Sequence, residues 1–331
     1  MARRRRARRR RSRLLRGRNL LSGLLVLLIA AYGLWGEQLR ERLGLRGDRP
    51  PDKGAALRVV TWNLRNFPGE HQDLELLRSR LESLDADIIA VQEIKEPAAL
   101  RALLPEWKLV ISERGGRGRQ KLGVLYNPAR VELVGDPAEH NELSLGGRVR
   151  PAFSAYLRAR GGGPDFHLVV VHLKAMTQGY SQRAQQWPML AALVASLPEN
   201  DPGAGDTDVI VVGDFNTTGP PGGDTADELR ALEEHFDTAG LRRLPSARGC
   251  STYWDGPRRD AWQEPSLLDL IWVGDLAEAT GGDAQASALG HCARHRCEAF
   301  RSTDAYPELD FETVSDHCPV IVDLAFADDD L

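Results

Sequence analysis

The 331 residues show no internal repeat of 20–50 residues and no acid before Glu37. The missing repeat excludes solenoids and propellers. Cysteine is scarce, four residues in all, and hydrophobic (42%) and charged (27%) contents are ordinary. That balance excludes collagen, coiled-coil arrays and wholesale disorder and leaves enough apolar sequence for a core. The length allows two domains, and one large α/β domain fits as well. The body also lacks positive charge. Eleven of the 43 basic residues lie in the first 18 positions, leaving 32 against 47 acids over 19–331, a net of −15. No basic stripe with interleaved aromatics is evident, so a broad nucleic-acid-binding field is disfavoured, while a local basic groove stays open.

The Arg-rich start runs into 19–36, a stretch with no charge and many Leu, Val and Ile. Eighteen helical residues reach about 27 Å, near the lower limit for crossing a bilayer's hydrocarbon core. The positive-inside rule puts the arginines in the cytoplasm and the rest of the chain outside it. The preferred division is therefore a cytoplasmic tail (1–18), a transmembrane signal anchor (19–36), a Gly/Pro-rich solvated linker (37–56) and a catalytic body (57–326). A cleaved secretory signal, with Ala31-Tyr32-Gly33 as a small-x-small site, is one alternative, and a basic nucleic-acid-binding tail beside a buried apolar helix is the other.

From Leu57 onward, short β-branched apolar runs alternate with helical stripes. The runs are Leu57–Trp62, Ile88–Val91, Val124–Tyr126, Phe153–Leu157, Leu168–Val171, Val209–Val212, Leu270–Val273 and Val320–Leu324. Several are apolar on both faces, as strands are when a sheet is covered on both sides. Leu74, Leu77, Leu81 and Leu84 form one helical stripe, and Leu229, Leu232 and Phe236 form another that Gly240 stops. A third, Leu190, Val194 and Leu197, follows Ser181, with Pro188 predicting a kink or a late start. Gly115–Gly118 and Gly161–Pro164 read as hairpin loops, and 217–224 as a loop.

The polar residues at the tips of these strands carry the chemistry. They fall in Thr61-Trp62-Asn63, Val91-Gln92-Glu93, His172-Leu173-Lys174, Gly213-Asp214-Phe215-Asn216, Leu268-Asp269-Leu270 and Ser315-Asp316-His317-Cys318-Pro319. Gathered on one rim, so many carboxylates need a cation or are balanced against a phosphate. Carboxylate and amide oxygens suit Mg²⁺, Mn²⁺ or Ca²⁺.

This ordered set resembles the endonuclease/exonuclease/phosphatase superfamily, near its secreted deoxyribonucleases and bacterial sphingomyelinases. The resemblance implies a four-layer α/β sandwich of two mostly antiparallel sheets flanked by helices. It implies Glu93 as main metal ligand, with Asn63 and Asp316 completing or flanking the Mg²⁺ (or Mn²⁺/Ca²⁺) site. Asp214 and Asn216 would orient the attacking water and a phosphate oxygen. Asp269 would hold His317 as general base or phosphate binder, with His172 the second histidine of the named branches. Asn63 and Arg150 would also contact substrate, the guanidinium suiting a phosphate fork. Taken singly, Asn63 suits a turn, Glu93 a solvated strand end, Asp269 a salt-bridged core acid and His172 a strand edge. The joint pattern favours chemistry for these four and leaves Arg150 undecided. Lys121, Lys174, Thr252 and Trp254 have no stronger claim to substrate than to ordinary surface roles.

Cys250, Cys292, Cys297 and Cys318 permit two disulfides in an exported domain. Cys292 with Cys297 is the simplest pair, and a zinc site using His291 and His295 is the alternative. Cys318 carries little weight, and 280–312 reads as an insertion. The function expected is a membrane-anchored, extracytoplasmic, divalent-metal-dependent phosphodiester hydrolase, with nucleic acid the first substrate class. A phospholipid or sphingolipid headgroup enzyme, or phosphatase, on the same scaffold is one alternative, and an inactive tethered binding module is the other.

Overall fold

The computed structural model describes residues 50–200, 205–256, 260–276, 280–281 and 284–326. The expected tail and transmembrane segment lie outside them. Among the described residues no helix is long and apolar enough to cross a membrane.

One six-stranded sheet runs in the order β13 (Ser287–Ala288), β14 (Val320–Leu324), β1 (Leu57–Asn63), β2 (Ile88–Ile94), β4 (Lys121–Tyr126), β3 (Lys108–Ile111). The second runs β5 (Val131–His140), β6 (Ala152–Ala159), β7 (Asp165–His172), β8 (Val209–Asp214), β12 (Asp269–Gly274), β9 (Arg242–Arg243). A separate ribbon pairs β10 (Thr252–Asp255) with β11 (Gln263–Ser266). Each large sheet is mixed, with one parallel pair, β1/β2 or β7/β8, among antiparallel neighbours.

Period-two alternation explains the layers. Leu57, Val59, Ile88 and Ala90 of the first sheet meet Leu168, Val170, Ile210, Val212, Ile271 and Val273 of the second. The intervening Val60, Trp62, Ile89 and Val91 pack outward on Leu77 and Leu81 of α1 (Leu74–Ser83) and Leu100 of α2 (Pro97–Leu103). Val169, Val171 and Val211 pack on Leu190 and Val194 of α3 (Tyr180–Asn200) and Leu232 and Phe236 of α4 (Thr225–Asp237). Both faces of each central strand are thus apolar and covered.

Helix starts follow local chemistry. Asp73 caps α1, and Asp224 with Asp227 forms a reciprocal capping box on α4. Of the kink or late start that Pro188 predicts, the late start does not occur: α3 begins at Tyr180 and includes Pro188, where the helix forgoes one backbone hydrogen bond.

The cysteine pairing differs from expectation. Cys250 bonds Cys297 and Cys292 bonds Cys318. Backbone closes the Cys292–Cys297 turn instead, the Cys297 N–H donating to the Cys292 carbonyl at 3.1 Å, while the two sulfurs reach different elements. The zinc alternative falls for the same reason. His291, Cys292 and Cys318 gather closely, but both sulfurs are already in a disulfide, leaving no thiolate. The 280–312 segment contains β13, α5 (Gly290–Arg294) and α6 (Leu309–Thr313), and the two disulfides tie it to the start of β10 and to the last motif.

Candidate active site

The alternation that builds the core also builds the site. Asn63 ends β1 in the inward parity of Leu57 and Val59. His172, Asp214 and Asp269 hold the matching inward positions of β7, β8 and β12. Register sets Asp214 beside both His172 and Asp269. Core positions therefore become polar where the sandwich opens at one rim. Glu93 has the opposite parity, and regular pairing would turn it toward the helices. A register shift between Val91 and Ile94, with Glu93 at φ 64°, redirects it. Bulges with left-handed non-glycine residues are a known way to aim a side chain at a site. Gly213 (φ +136°) lets β8 approach β7, because a Cβ there would lie 2.0 Å from the Val171 carbonyl oxygen.

The groups meet closely. Asn63 Nδ2 donates to Asp214 Oδ2 at 3.0 Å and to Glu93 Oε1 at 3.4 Å. His172 Nε2 lies 3.2 Å from Asp214 Oδ2 and 3.8 Å from Glu93 Oε1. His317 Nδ1 donates to Asp269 Oδ2 at 2.8 Å, and its Nε2 lies 3.8 Å from Asp214 Oδ2. Asn216 donates its backbone N–H to Asp214 Oδ1 at 2.9 Å and its Nδ2 to the Leu173 carbonyl at 3.2 Å, tying the β8 loop to the β7 loop. Asp316 is partly exposed, its Oδ1 lying 3.8 Å from Arg65 Nε, and its charge acts on His317.

The last motif is fixed from two sides. Trp62 Nε1 donates to the His317 carbonyl, and Ser315 Oγ donates to the Asn63 carbonyl while accepting the His317 N–H. Ser251 Oγ accepts the Asp269 N–H at 2.8 Å, and the Cys318 N–H donates to the Ser251 carbonyl.

Burial, with the charges of Asp269 and Glu93, raises Asp214 above the usual carboxylate range, against the pull of His317 and Asn63. Burial pulls His317 downward, but Asp269 and Asp214 outweigh it and hold the imidazole well above its ordinary value, favouring imidazolium. His172 goes the other way. Burial, then the charges of Arg150, His317 and Lys174, keep it well below its ordinary value and hence neutral. Its Nδ1 is buried without a hydrogen-bond partner.

Arg150, undecided from sequence, faces this site. Glu93 and Asp214 act on its charge, while burial lowers its affinity for the proton. Gln120 bonds Arg150, Gln120 Nε2 donates to Asn66 Oδ1 at 2.9 Å, and the Asn66 N–H donates to Glu93 Oε2 at 2.8 Å. Gln120, Asn66 and Ser251 were absent from the expected set. Their contacts join residues up to 67 positions apart, and only the run Asn63-Leu64-Arg65-Asn66 after a strand pointed to Asn66.

The donor set fits a hard divalent cation: Glu93, Asn63 and Asp316 offer only oxygen ligands. Two buried or half-buried carboxylates, Glu93 and Asp214, share the same two donors, Asn63 and His172, so positive charge beside Glu93 would relieve their repulsion. Bound there, a cation would polarise a phosphoryl oxygen and stabilise charge on the leaving oxygen.

The fold is a two-sheet α/β sandwich whose carboxylates and imidazoles converge on one rim. The chain belongs to the Endonuclease/Exonuclease/phosphatase family, whose model matches residues 60–317. Solved structures share the fold. TDP2 of D. rerio, crystallised with a single-strand DNA product, is 15% identical, with 82% of this chain and 99% of that one covered and a TM-score of 0.58. The human Nocturnin catalytic domain with bound sulfate is 17% identical (82% and 95% covered, TM-score 0.55). A mannosyl-6-phosphatase of Bacteroides thetaiotaomicron is 19% identical (82% and 100% covered, TM-score 0.56). No curated protein sequence matches the chain.

Proposed function

We propose that the protein is a divalent-metal-dependent phosphodiester hydrolase of nuclease type, held at a membrane with its catalytic body outside the cytoplasm. One observation carries the reaction: Asp214 has Asn63, His172 and His317 around it at 3.0–3.8 Å, beside Glu93. Asp214 orients the attacking water and takes its proton, and Asn216 holds the loop that frames it. His317, fixed by Asp269, offers Nε2–H to a phosphate oxygen, and Arg150 offers its guanidinium to another. His172 holds Asp214 in place and supports kinship with the deoxyribonuclease and sphingomyelinase branch. Glu93, Asn63 and Asp316 are the cation's residues, Mg²⁺ first, with Mn²⁺ or Ca²⁺ as alternatives.

Substrate class rests on less. The DNA product in the TDP2 structure favours nucleic acid. The mannosyl-6-phosphatase keeps a phosphatase in view. A tether beside a bilayer favours a phospholipid or sphingolipid headgroup as the second reading. The intact set of acids, amides and histidines speaks against an inactive module. The test offers the full-length protein plasmid DNA, RNA, sphingomyelin and inositol phosphates with Mg²⁺, Mn²⁺ or EDTA. Nicking abolished by EDTA and by Asp214→Ala is the expected result. Lipid turnover alone moves the assignment to headgroup enzymes, and silence on every substrate sinks the enzymatic reading.

A further inference from the structure

Beside the catalytic rim lies a cavity of about 370 Å³, inside the roughly 300–1,000 Å³ span of small-molecule sites. Four cations line it, Arg117, Arg148, Arg150 and Lys174, and no acid does. This is a local reversal of sign in a body that carries net −15. None of the four makes an ion pair among the described residues, and Arg150 Nε is buried without a hydrogen-bond partner.

The fold builds the cluster. The β3–β4 turn lies against the chain before β6: at Gly116 (φ +63°) a Cβ would meet the Val149 carbonyl carbon at 2.9 Å and the Arg150 nitrogen at 3.2 Å. Close backbone approach therefore sets Arg117 beside the segment that carries Arg148 and Arg150. Bringing like charges together in this way is unfavourable unless an anion joins them.

The cavity is linked to the reaction centre through Arg150, whose charge Glu93 and Asp214 act on. Arg150 belongs to both, and Gln120 links Arg150 through Asn66 to Glu93. Lys174, two residues past His172, lines the cavity's other side.

We propose that this cavity binds a second phosphate of the substrate, so that the enzyme selects esters bearing another phosphate near the scissile one. This rests on the phosphoesterase reading. Arg150 then reaches the scissile phosphate, while Arg117, Arg148 and Lys174 hold its neighbour. The neighbour can come from a nucleic-acid strand or from a multiply phosphorylated headgroup.

The test compares full-length wild type with Arg117→Gln/Arg148→Gln on two substrate pairs: d(TpT) against d(TpTpT), and inositol 1-phosphate against inositol 1,4-bisphosphate. In wild type, kcat/KM should favour the two-phosphate member of one pair by about tenfold or more, the scale of a charge-assisted contact. The double variant should bring that ratio close to one, and the responding pair names the phosphate's source. A ratio equal in variant and wild type overturns the proposal. Calorimetric titration with inorganic pyrophosphate in EDTA reads the cavity without turnover. Binding weakened about tenfold in the variant supports the site even if all four esters prove inert, which would defeat only the phosphoesterase reading. Equal affinity in both proteins, or no binding to wild type, overturns it.

Discussion

Asp269 lies at the start of β12 with one carboxylate oxygen on His317 and the other, Oδ1, buried and unpartnered. In the proposed mechanism it acts through the imidazole, as a positioning residue. Asparagine keeps the shape but removes the charge that favours imidazolium and can present N–H where an acceptor is needed. Asp269→Asn should lower kcat by about 100-fold or more with little change in KM. Unchanged kcat in a folded variant would remove Asp269 from the catalytic account. At this scale the sequence was informative. Glu93, Asp214, Asp269 and His172 sit at strand ends, where a polar residue bounding an apolar run is conspicuous, His317 falls in the polar motif before β14, and the structure brings all five together. Asp316 is in the same motif as His317 and pairs with Arg65. Gln120 and Asn66 escaped notice because neither ends a buried strand and their bond spans 54 residues.

Between elements, a buried ion pair governs the loops that follow β7 and β8. Arg183 on α3 and Glu228 on α4 are both fully buried, with Nε to Oε1 at 2.5 Å and Nη2 to Oε2 at 2.7 Å. Arg183 also donates to the Lys174 and Met176 carbonyls, and Glu228 accepts the Gly219 N–H. Removing one partner strands the other charge in a dry interior. Arg183→Met should therefore cost roughly 3–5 kcal/mol in urea unfolding, and Arg183→Met/Glu228→Leu should restore part of it. A cost below about 1 kcal/mol for the single variant would contradict the pair's isolation from solvent.

The 280–312 segment has its own electrostatic anchor. Burial works to raise Glu308, but bonds from His295 and Arg294 prevail and hold it at about 2 against an ordinary 4.5. A carboxyl depressed in the folded state stabilises above its unfolded pKa and loses that contribution as pH falls through the folded value. The window is thus about 4.5 down to about 2, worth at most ~3 kcal/mol. Wild type should exceed Glu308→Gln in stability at pH 6, with the gap closing near pH 2. A gap independent of pH would show that shape, not charge, is responsible.

Elements were legible where the sheet is central. All eight apolar runs became strands, because two covered faces demand continuous hydrophobicity. The edge strands β3 and β5 were missed. β5 carries Glu132, Asp136, Pro137 and Glu139 and pairs on one side only, so neither periodicity nor composition marks it. Cysteine pairing was illegible for a related reason: chain proximity favoured Cys292 with Cys297, whereas β14 and β10 supply the real partners from afar.

For the molecule as a whole, charge and oxidation state argue together. The proposed outward orientation rests on the Arg-rich start before an uncharged 18-residue run, and two disulfides closing sequence separations of 47 and 26 suit an oxidising compartment. Each crosslink constrains the unfolded chain by roughly 3–4 kcal/mol in the loop-entropy account. The pair Cys292–Cys318 is next to His317, so oxidation also secures the catalytic motif to α5. An oxidising compartment is then a condition for a stable site, which is what the proposed export would supply. Intact cells treated with a membrane-impermeant protease should lose the body and keep the Arg-rich tail. Thiol trapping before lysis should find all four cysteines blocked. Protection from protease together with four alkylatable thiols would place the body in the cytoplasm, and would require the 280–312 segment to hold its place by Glu308 and packing alone.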